Sequence, residues 1–268
     1  MVIGLGSLFS SQDYVLYRFE YPVNLFHRLR SCLSPSLLHE KLKVLDLGCG
    51  TGLVTESFIK SYSAPSSFDL VDPDSSMLLQ AKERFAHENS ISSFHCSSAE
   101  NVPFEDESFD LVLIGSAWHW MNPESALKEI ERILKPNGFV FIFEYQFPKA
   151  PQRSDLNDWI RIQFNTHWKP TTQTPRGSLR ELTECWRKNA QFSQVSSGTL
   201  LQSRLHHASE LAGVIVSQSR YQHFVQNFSE HEKVKLREEL EKDLNQFLKD
   251  ELAKFEYSYE GFLFKKRL

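Results

Sequence analysis

The feature that most constrains the fold is a regular alternation of short, β-rich apolar runs with longer amphipathic stretches, between about residues 43 and 146. Such an alternation is typical of successive βαβ units in a parallel sheet. A helix is well marked between the fourth and fifth runs, because Asn122 suits its N-cap and Pro123 its first position. The runs predicted as strands are Val44–Leu47, Phe68–Val71, Ser93–Cys96, Phe109–Ile114 and Phe139–Phe143.

The pattern changes after residue 147. Residues 148–191 are rich in Pro, Thr and Gln with scattered Trp and Arg, which favours an inserted cap or lid with one or two short helices over a linker. A capping box at Ser229–Glu232 predicts the start of a long helix. The rest of this half is predicted as a strand near Val195–Leu201, a helix near His207–Phe224 and a last strand at Lys254–Arg267 with a bulge at Gly261.

Composition and charge narrow the class of protein. The 268 residues are 41% hydrophobic and 24% charged, which is ordinary for a globular chain. Thirty Lys and Arg against 34 Asp and Glu give a net charge of −4 without a long basic block, so we do not expect nucleic-acid binding. Four widely spaced cysteines indicate neither a metal site nor a disulfide framework. No stretch approaches the ~20 apolar residues of a membrane span, and we expect a cytoplasmic protein, with the nucleus as the alternative.

A glycine-rich segment, residues 45–52 (LDLGCGTG), stands where the first predicted strand passes into the first helix. Glycines at this place let the backbone approach a ligand at the carboxyl edge of a parallel sheet. The spacing does not fit the dinucleotide fingerprint G-x-G-x-x-G, because Leu53 or Thr55 occupies the position of the third glycine in the two possible registers.

The remaining pattern, D-x-G-x-G-x-G at residues 46–52, resembles the class I S-adenosylmethionine (SAM)-dependent methyltransferases. The other segments of that family follow in the same order, over about residues 40–145. They are 71–78 (VDPDSSML) after the second strand, 98–104 (SAENVPF) for adenine, 108–112 (SFDLV) and 117–120 (AWHW) around the fourth strand, and 127–138 (LKEIERILKPNG) in the next helix and turn.

Upstream, residues 14–22 (YVLYRFEYP) look like the start of a small-molecule branch that includes trans-aconitate-type methyltransferases, although Phe19 stands where that pattern prefers proline. The family resemblance implies an α/β fold: a Rossmann-like, mostly parallel seven-stranded sheet with helices on both faces, an antiparallel last strand and an inserted helical cap. We therefore predict a single domain over residues 1–268, with 1–40 as an N-terminal helical entrance or cap and 148–191 as the inserted cap or lid.

By the same resemblance, the first half of the sequence holds the cofactor. Asp46 would orient the SAM ammonium group through water, and Asp72 would accept both ribose hydroxyls, with a helix cap as its alternative role. Ala99 would offer its backbone N–H to adenine, while Ser98 stands where the family commonly has Asp. The predicted cofactor-binding residues are Arg18, Asp46, Gly48, Gly50, Gly52, Asp72, Met77, Ser98, Ala99, Glu100 and Gly115.

The acceptor is expected on the other side of the fourth strand's end. A neutral His119 there suits a general base, with simple packing as its alternative role. Tryptophans beside it suit cation–π contact with a sulfonium, and arginines suit a substrate carboxylate. The predicted acceptor-side residues are Tyr14, Tyr21, Ser116, Trp118, Trp120, Arg176 and Arg220.

These observations predict a SAM-dependent methyltransferase that acts on a small molecule. A carboxylate acceptor would need arginines and no base, whereas a hydroxyl acceptor would need His119. Two alternatives belong to other classes: a methyltransferase of RNA or protein, and a non-catalytic SAM-binding module. The oligomeric state is left open by the sequence, as is any movement of residues 148–191.

Overall fold

The computed structural model describes residues 17–33, 41–62, 66–168 and 177–268, and its strands form one seven-stranded sheet in the order β3-β2-β1-β4-β5-β7-β6. The first five strands run parallel, and β7 is antiparallel to both β5 and β6. The sheet predicted from the sequence is thereby confirmed. The strands are β1 (Leu42–Leu47), β2 (Ser66–Asp72), β3 (Ile91–Cys96), β4 (Phe109–Gly115), β5 (Leu134–Tyr145), β6 (Phe192–His206) and β7 (Ala253–Lys266).

Helices flank this sheet. In chain order they are α1 (Val23–Cys32), α2 (Leu53–Ser61), α3 (Ser75–Arg84), α4 (Pro123–Ile133), α5 (Ser154–Ile162), α6 (Leu179–Leu182), α7 (Glu184–Lys188), α8 (Ala208–Val216), α9 (Ser219–Val225) and α10 (Glu230–Leu248). A π-helical turn at Gln163–His167 extends α5. The short helices α5 to α7 lie in the segment predicted as a cap, and the division into entrance, domain and cap stays a prediction. Within the described ranges, no helix combines the length and apolarity needed to cross a membrane.

Both faces of the sheet are buried, as the near-continuous apolar strands predict. Along β4, Leu111 and Leu113 pack into one hydrophobic cluster, whereas Val112 and Ile114 pack into a second cluster on the opposite face. Side chains therefore fill the space on either side of the strands, and ligands have access only at the strand ends.

The structure departs from the sequence prediction at three places in the second half. Strand β6 runs from Phe192 to His206 and is longer than predicted. The helix predicted over residues 207–224 is two helices, because Gln218 is extended and the Arg18 guanidinium donates a 2.9 Å hydrogen bond to the carbonyl of Ser217 at the end of the first.

The third difference concerns the predicted bulge at Gly261. That residue pairs regularly with both neighbouring strands, and the pairing irregularity lies instead between Gln194 and Ser196 on β6. A side chain at position 261 would clash, because a Cβ there would lie 2.9 Å from the Phe141 ring. The glycine thus makes room for an aromatic side chain without bending the strand.

Candidate active site

Three glycines after β1 have left-handed backbones, with φ of 74° at Gly48, 54° at Gly50 and 85° at Gly52. A Cβ on Gly48 would lie 2.5 Å from the Cβ of Ala117, and one on Gly52 would lie 2.4 Å from the Phe85 ring. At Gly50 a Cβ would meet no heavy atom within 4 Å among the described residues. Gly48 and Gly52 therefore allow close packing, whereas the position that a Cβ would take at Gly50 faces open space among the described residues.

Asp46 lies at the base of this glycine loop and is completely buried. Its Oδ2 accepts hydrogen bonds from the N–H of Thr55 at 3.2 Å and from the Thr55 hydroxyl at 2.6 Å. Its Oδ1 has no hydrogen-bond partner in the part of the chain that the structure describes. Burial raises the pKa of Asp46 to about 7. Because Oδ1 has no partner among the described residues, it can accept a hydrogen bond from a ligand.

Asp72 ends β2 beside the loop and is 9% exposed. One oxygen accepts the N–H of Gly50 at 2.8 Å and the other accepts that of Asp74 at 2.9 Å. Each oxygen keeps a further lone pair for another donor, and burial raises the pKa of Asp72 to about 6. The cap of α3 is Asp74, which accepts the N–H groups of Ser76 and Met77. The alternative role of Asp72 as that helix cap is therefore wrong.

These groups fit the nucleoside and amino-acid parts of SAM. The orphaned oxygen of Asp46 suits a donor from the ammonium end, and Asp72 suits a pair of adjacent hydroxyls. Met77 and Ala99 are buried near the end of the sheet, whereas Ser98 is exposed. Glu100 has a structural partner, because its carboxylate accepts the N–H of Asn122 at 2.7 Å in the loop before α4.

The turn after β4 joins the glycine loop to a second region. A Cβ on Gly115 would lie 2.4 Å from Val54, so this glycine serves packing. Ser116 follows with a left-handed backbone, and its hydroxyl accepts a 3.1 Å hydrogen bond from the Tyr21 hydroxyl. Because Ala117 of the same turn packs against Gly48, the two regions share a wall.

The second region is a cavity of about 850 Å³ at the carboxyl ends of β4 and β5. Ser116, His119 and Trp120 line it from the turn after β4, and Glu144 and Tyr145 line it from the end of β5. The other walls come from α5, its π-helical turn, and the start of α9. His119 Nδ1 lies 3.8 Å from Glu144 Oε2, with the imidazole 11% and the carboxylate 21% exposed.

Four cationic side chains line the same cavity, and they differ in their partners. Arg18 donates to the carbonyl of Ser217 at 2.9 Å and to the Tyr145 hydroxyl, and Arg161 pairs with Asp158 at 3.1 Å. For Lys149 and Arg220, no side-chain hydrogen bond or ion pair occurs within the described ranges. Arg18 was predicted to bind the cofactor, yet it lies in the cavity wall.

The two tryptophans of the 117–120 segment lie in different environments. A 3₁₀ turn spans Trp118–Trp120; Trp120 lines the cavity, whereas Trp118 is 2% exposed and does not. The Trp118 indole donates to the Leu182 carbonyl at 2.9 Å and packs on Trp186. Its role is to fasten helices α6 and α7 to the sheet. Tyr14 and Arg176, also predicted on the acceptor side, lie outside the described residues.

Sequence reasoning missed Glu144 and Lys149. Neither belongs to a motif, and Glu144 comes next to His119 only through the register of β5 on β4, in which Gly115 lies opposite Phe143. The available signal was a charged residue directly after the apolar run that ends at Phe143, because polar residues at strand ends line ligand sites in parallel sheets.

The sequence similarity to known proteins lies mainly in the first half of the chain. A family model described as a methyltransferase domain matches residues 45–142. An uncharacterised methyltransferase-like protein of Schizosaccharomyces pombe is 37% identical over 126 residues, which are 47% of this chain and 46% of that protein. A demethylmenaquinone methyltransferase of Staphylococcus haemolyticus is 38% identical over 118 residues, 42% of this chain and 48% of its own length. The similarity spans about half the length of these relatives.

A solved structure extends the likeness to the second half. A proposed type II methyltransferase from Anaeromyxobacter dehalogenans matches with a TM-score of 0.67 over 94% of this chain and 98% of its own, at 16% identity. At that identity the match shows a shared fold and nothing about the acceptor.

Proposed function

We propose that this chain, whose residues 45–142 match a family model described as a methyltransferase domain, is a class I enzyme that transfers a methyl group from SAM to a small-molecule acceptor. One observation carries the proposal: the turn after β4 packs on the glycine loop through Ala117 and lines the cavity through Ser116 and His119. A donor held at the loop and an acceptor held in the cavity would meet across this single turn.

SAM supplies a methyl group that is already activated by its sulfonium. The chain's own task is to hold the two partners in reacting geometry and to exclude water. Asp46, Asp72 and the open side of Gly50 would bind the donor, and the cations of the cavity would orient an anionic acceptor. A cavity of about 850 Å³ is in the range of small-molecule sites.

The acceptor class rests on the cavity's side chains. Lys149 and Arg220 support an acceptor that carries a carboxylate, in line with the resemblance to trans-aconitate-type enzymes. The methylated atom would then be a carboxylate oxygen, which needs no base, or a hydroxyl oxygen of the same acceptor, which does. Substitution His119→Ala separates the two, because carboxylate methylation would survive it and hydroxyl methylation would lose most of its kcat.

The first experiment asks whether the donor site works. Calorimetric titration with SAM and with S-adenosylhomocysteine should give binding that is lost in Asp72→Asn. Transfer is then followed with methyl-labelled SAM on a cell metabolite extract, on bulk RNA and on bulk protein. We expect label in the metabolites. Binding without transfer to any of the three would contradict the proposal and support a non-catalytic SAM-binding module.

Label in RNA or protein would instead support a macromolecular methyltransferase. The net charge of −4 disfavours RNA, because phosphate backbones are bound by basic surfaces. Action in the cytoplasm stays a prediction, which imaging of the tagged chain in cells would check.

A further inference from the structure

The cavity holds a carboxylate that the family motifs do not explain. Glu144 lies at the end of β5, and its only side-chain contact of hydrogen-bond or ion-pair kind in the described ranges is with His119, at 3.8 Å. We infer that His119 is the general base for a hydroxyl acceptor and that Glu144 is its positioning residue. The acceptor is then a hydroxyl-bearing anion, methylated on its hydroxyl oxygen. This inference rests on the proposed function and narrows it.

Electrostatic repulsion disfavours a carboxylate as the methylated group beside Glu144. Ser116 and His119 line the cavity from the turn whose Ala117 packs on the glycine loop, and Glu144 lies 3.8 Å from His119. A carboxylate placed there for methylation would meet Glu144 as a like charge, and one imidazolium would neutralise only one of the two anions. A neutral hydroxyl avoids this repulsion, and the anionic group of the same acceptor would pair with Lys149 or Arg220, which line the same cavity.

The position of Glu144 also bears on which ring nitrogen of His119 carries the proton. Nδ1 is the ring nitrogen that lies 3.8 Å from Glu144, so a closer contact with that carboxylate would favour the proton of a neutral ring on Nδ1 and assign the general-base role to Nε2. A separation of 3.8 Å is long for a hydrogen bond, but such bonds commonly tighten when substrate binds. The carboxylate then stabilises the imidazolium that forms.

The step balances in atoms and electrons. The acceptor's hydroxyl oxygen forms a bond to the methyl carbon, the methyl–sulfur bond breaks with its electron pair left on sulfur, and the hydroxyl proton moves to Nε2 of His119. The products are a methyl ether, S-adenosylhomocysteine and an imidazolium, which returns its proton to water.

The chain contains a matched pair for control. His206 Nδ1 and Glu210 Oε2 are also 3.8 Å apart, but His206 is 3% exposed, its Nε2 bonds the Tyr257 hydroxyl at 2.8 Å, and Phe19 stacks on its ring. This second pair lines no part of the cavity. Glu210→Gln therefore makes the same chemical change as Glu144→Gln away from the acceptor.

The first test identifies the methylated atom. The wild-type protein is incubated with SAM carrying a ¹³C-methyl group and a cell metabolite extract, and the product methyl is classified by its carbon chemical shift and by mild alkali. We expect an ether methyl that survives alkali. Methanol released by alkali means an ester, and a methyl on nitrogen or carbon means another acceptor; each overturns the inference and leaves methyl transfer intact. No labelled product overturns the proposed function itself.

The second test addresses the two residues. With the product from the first test as the assay, Glu144→Gln should lower kcat about 10- to 100-fold and His119→Ala about 100-fold or more, with KM and S-adenosylhomocysteine affinity unchanged. Raising the pH should restore much of the His119→Ala loss, because the acceptor hydroxyl then ionises without a base. Glu210→Gln should match wild type. Equal losses in Glu144→Gln and Glu210→Gln, or no rescue by pH, would overturn the roles assigned here.

Discussion

The donor side and the acceptor side of this site are built in opposite ways. The proposed donor side is a compact unit of the contiguous residues 46–52 with Asp72 beside them. The cavity is mainly side chains, brought from positions as distant as Arg18, Glu144 and Arg220. The family match at residues 45–142 covers residues 46–52 and Asp72, whereas Arg18, Glu144 and Arg220 lie outside it.

The two sides also differ in charge. Two buried carboxylates serve the donor side, where a cationic ligand is expected. Four cations against Glu144 and Asp158 line the cavity, where an anion is expected. Opposite charges on the two sides would orient the two proposed ligands before they meet. Variants on one side should therefore change one ligand's binding and spare the other's.

The largest effect should come from the contact that joins the two sides. Gly48→Ala adds a Cβ 2.5 Å from that of Ala117 at a φ of 74°, and we expect it to lower the free energy of unfolding by about 2–5 kcal/mol. Gly50→Ala meets no neighbour and should cost only the ~1–2 kcal/mol of a left-handed alanine. Urea unfolding of both variants checks the difference, and equal losses would contradict it.

The next effect is confined to the donor side. Asp72→Asn removes the charge that would hold two ribose hydroxyls, and about 2–3 kcal/mol of binding should be lost, a roughly 30- to 150-fold rise in Kd for S-adenosylhomocysteine. Calorimetry measures this, with the KM for the acceptor as the control because it should not change. A raised acceptor KM with an unchanged Kd would reverse the assignment of the two sides.

How well the sequence predicts each side follows from the same difference. Asp46, the glycines and Asp72 could be proposed from the sequence because their predicted roles depend on spacing along a strand–loop–helix unit. Glu144 was not, because its neighbour His119 is reached only across the β4–β5 pairing. Trp118 and Trp120 were predicted alike, yet a 3₁₀ turn sends one into the core and the other into the cavity. Spacing along the chain cannot resolve such a turn.

The second half of the fold shows the same limit. The capping box at Ser229 was readable because Ser229 and Glu232 satisfy each other's backbone within one turn. The break between α8 and α9 was not, because it is stabilised by Arg18, about 200 residues away along the chain. Hydrogen bonds between residues close in sequence can be predicted from a short sequence pattern, whereas hydrogen bonds between distant residues cannot.

A smaller effect is expected on the acceptor side. Arg220 is half-buried in the cavity wall, and Arg220→Gln should raise the KM for an anionic acceptor about tenfold by removing one charge-assisted hydrogen bond. Arg161→Gln is the matched variant, because Arg161 already pairs with Asp158 and is mostly exposed; its effect should be under about threefold. Steady-state kinetics with the acceptor found in the extract measures KM for both variants. Equal rises in KM would contradict a specific role of Arg220 in binding the acceptor.

The smallest effect is a proton linked to donor binding. Burial raises the pKa of Asp46 to about 7 and that of Asp72 to about 6, so the free protein holds protons at pH 5 to 7 that ordinary aspartates would have lost. The ammonium of S-adenosylhomocysteine favours the ionised carboxylates and lowers both pKa values, so binding should release part of a proton in this window. Affinity should accordingly rise about three- to tenfold from pH 5 to pH 8 and level off above it, for a pKa change of about half to one unit. Calorimetry at pH 6.5 in two buffers of different ionisation enthalpy measures the released proton, and Asp46→Asn should remove most of it. A pH-independent affinity would mean that neither carboxylate senses the ligand's charge, and the contrast in charge between the two sides would then have no part in binding.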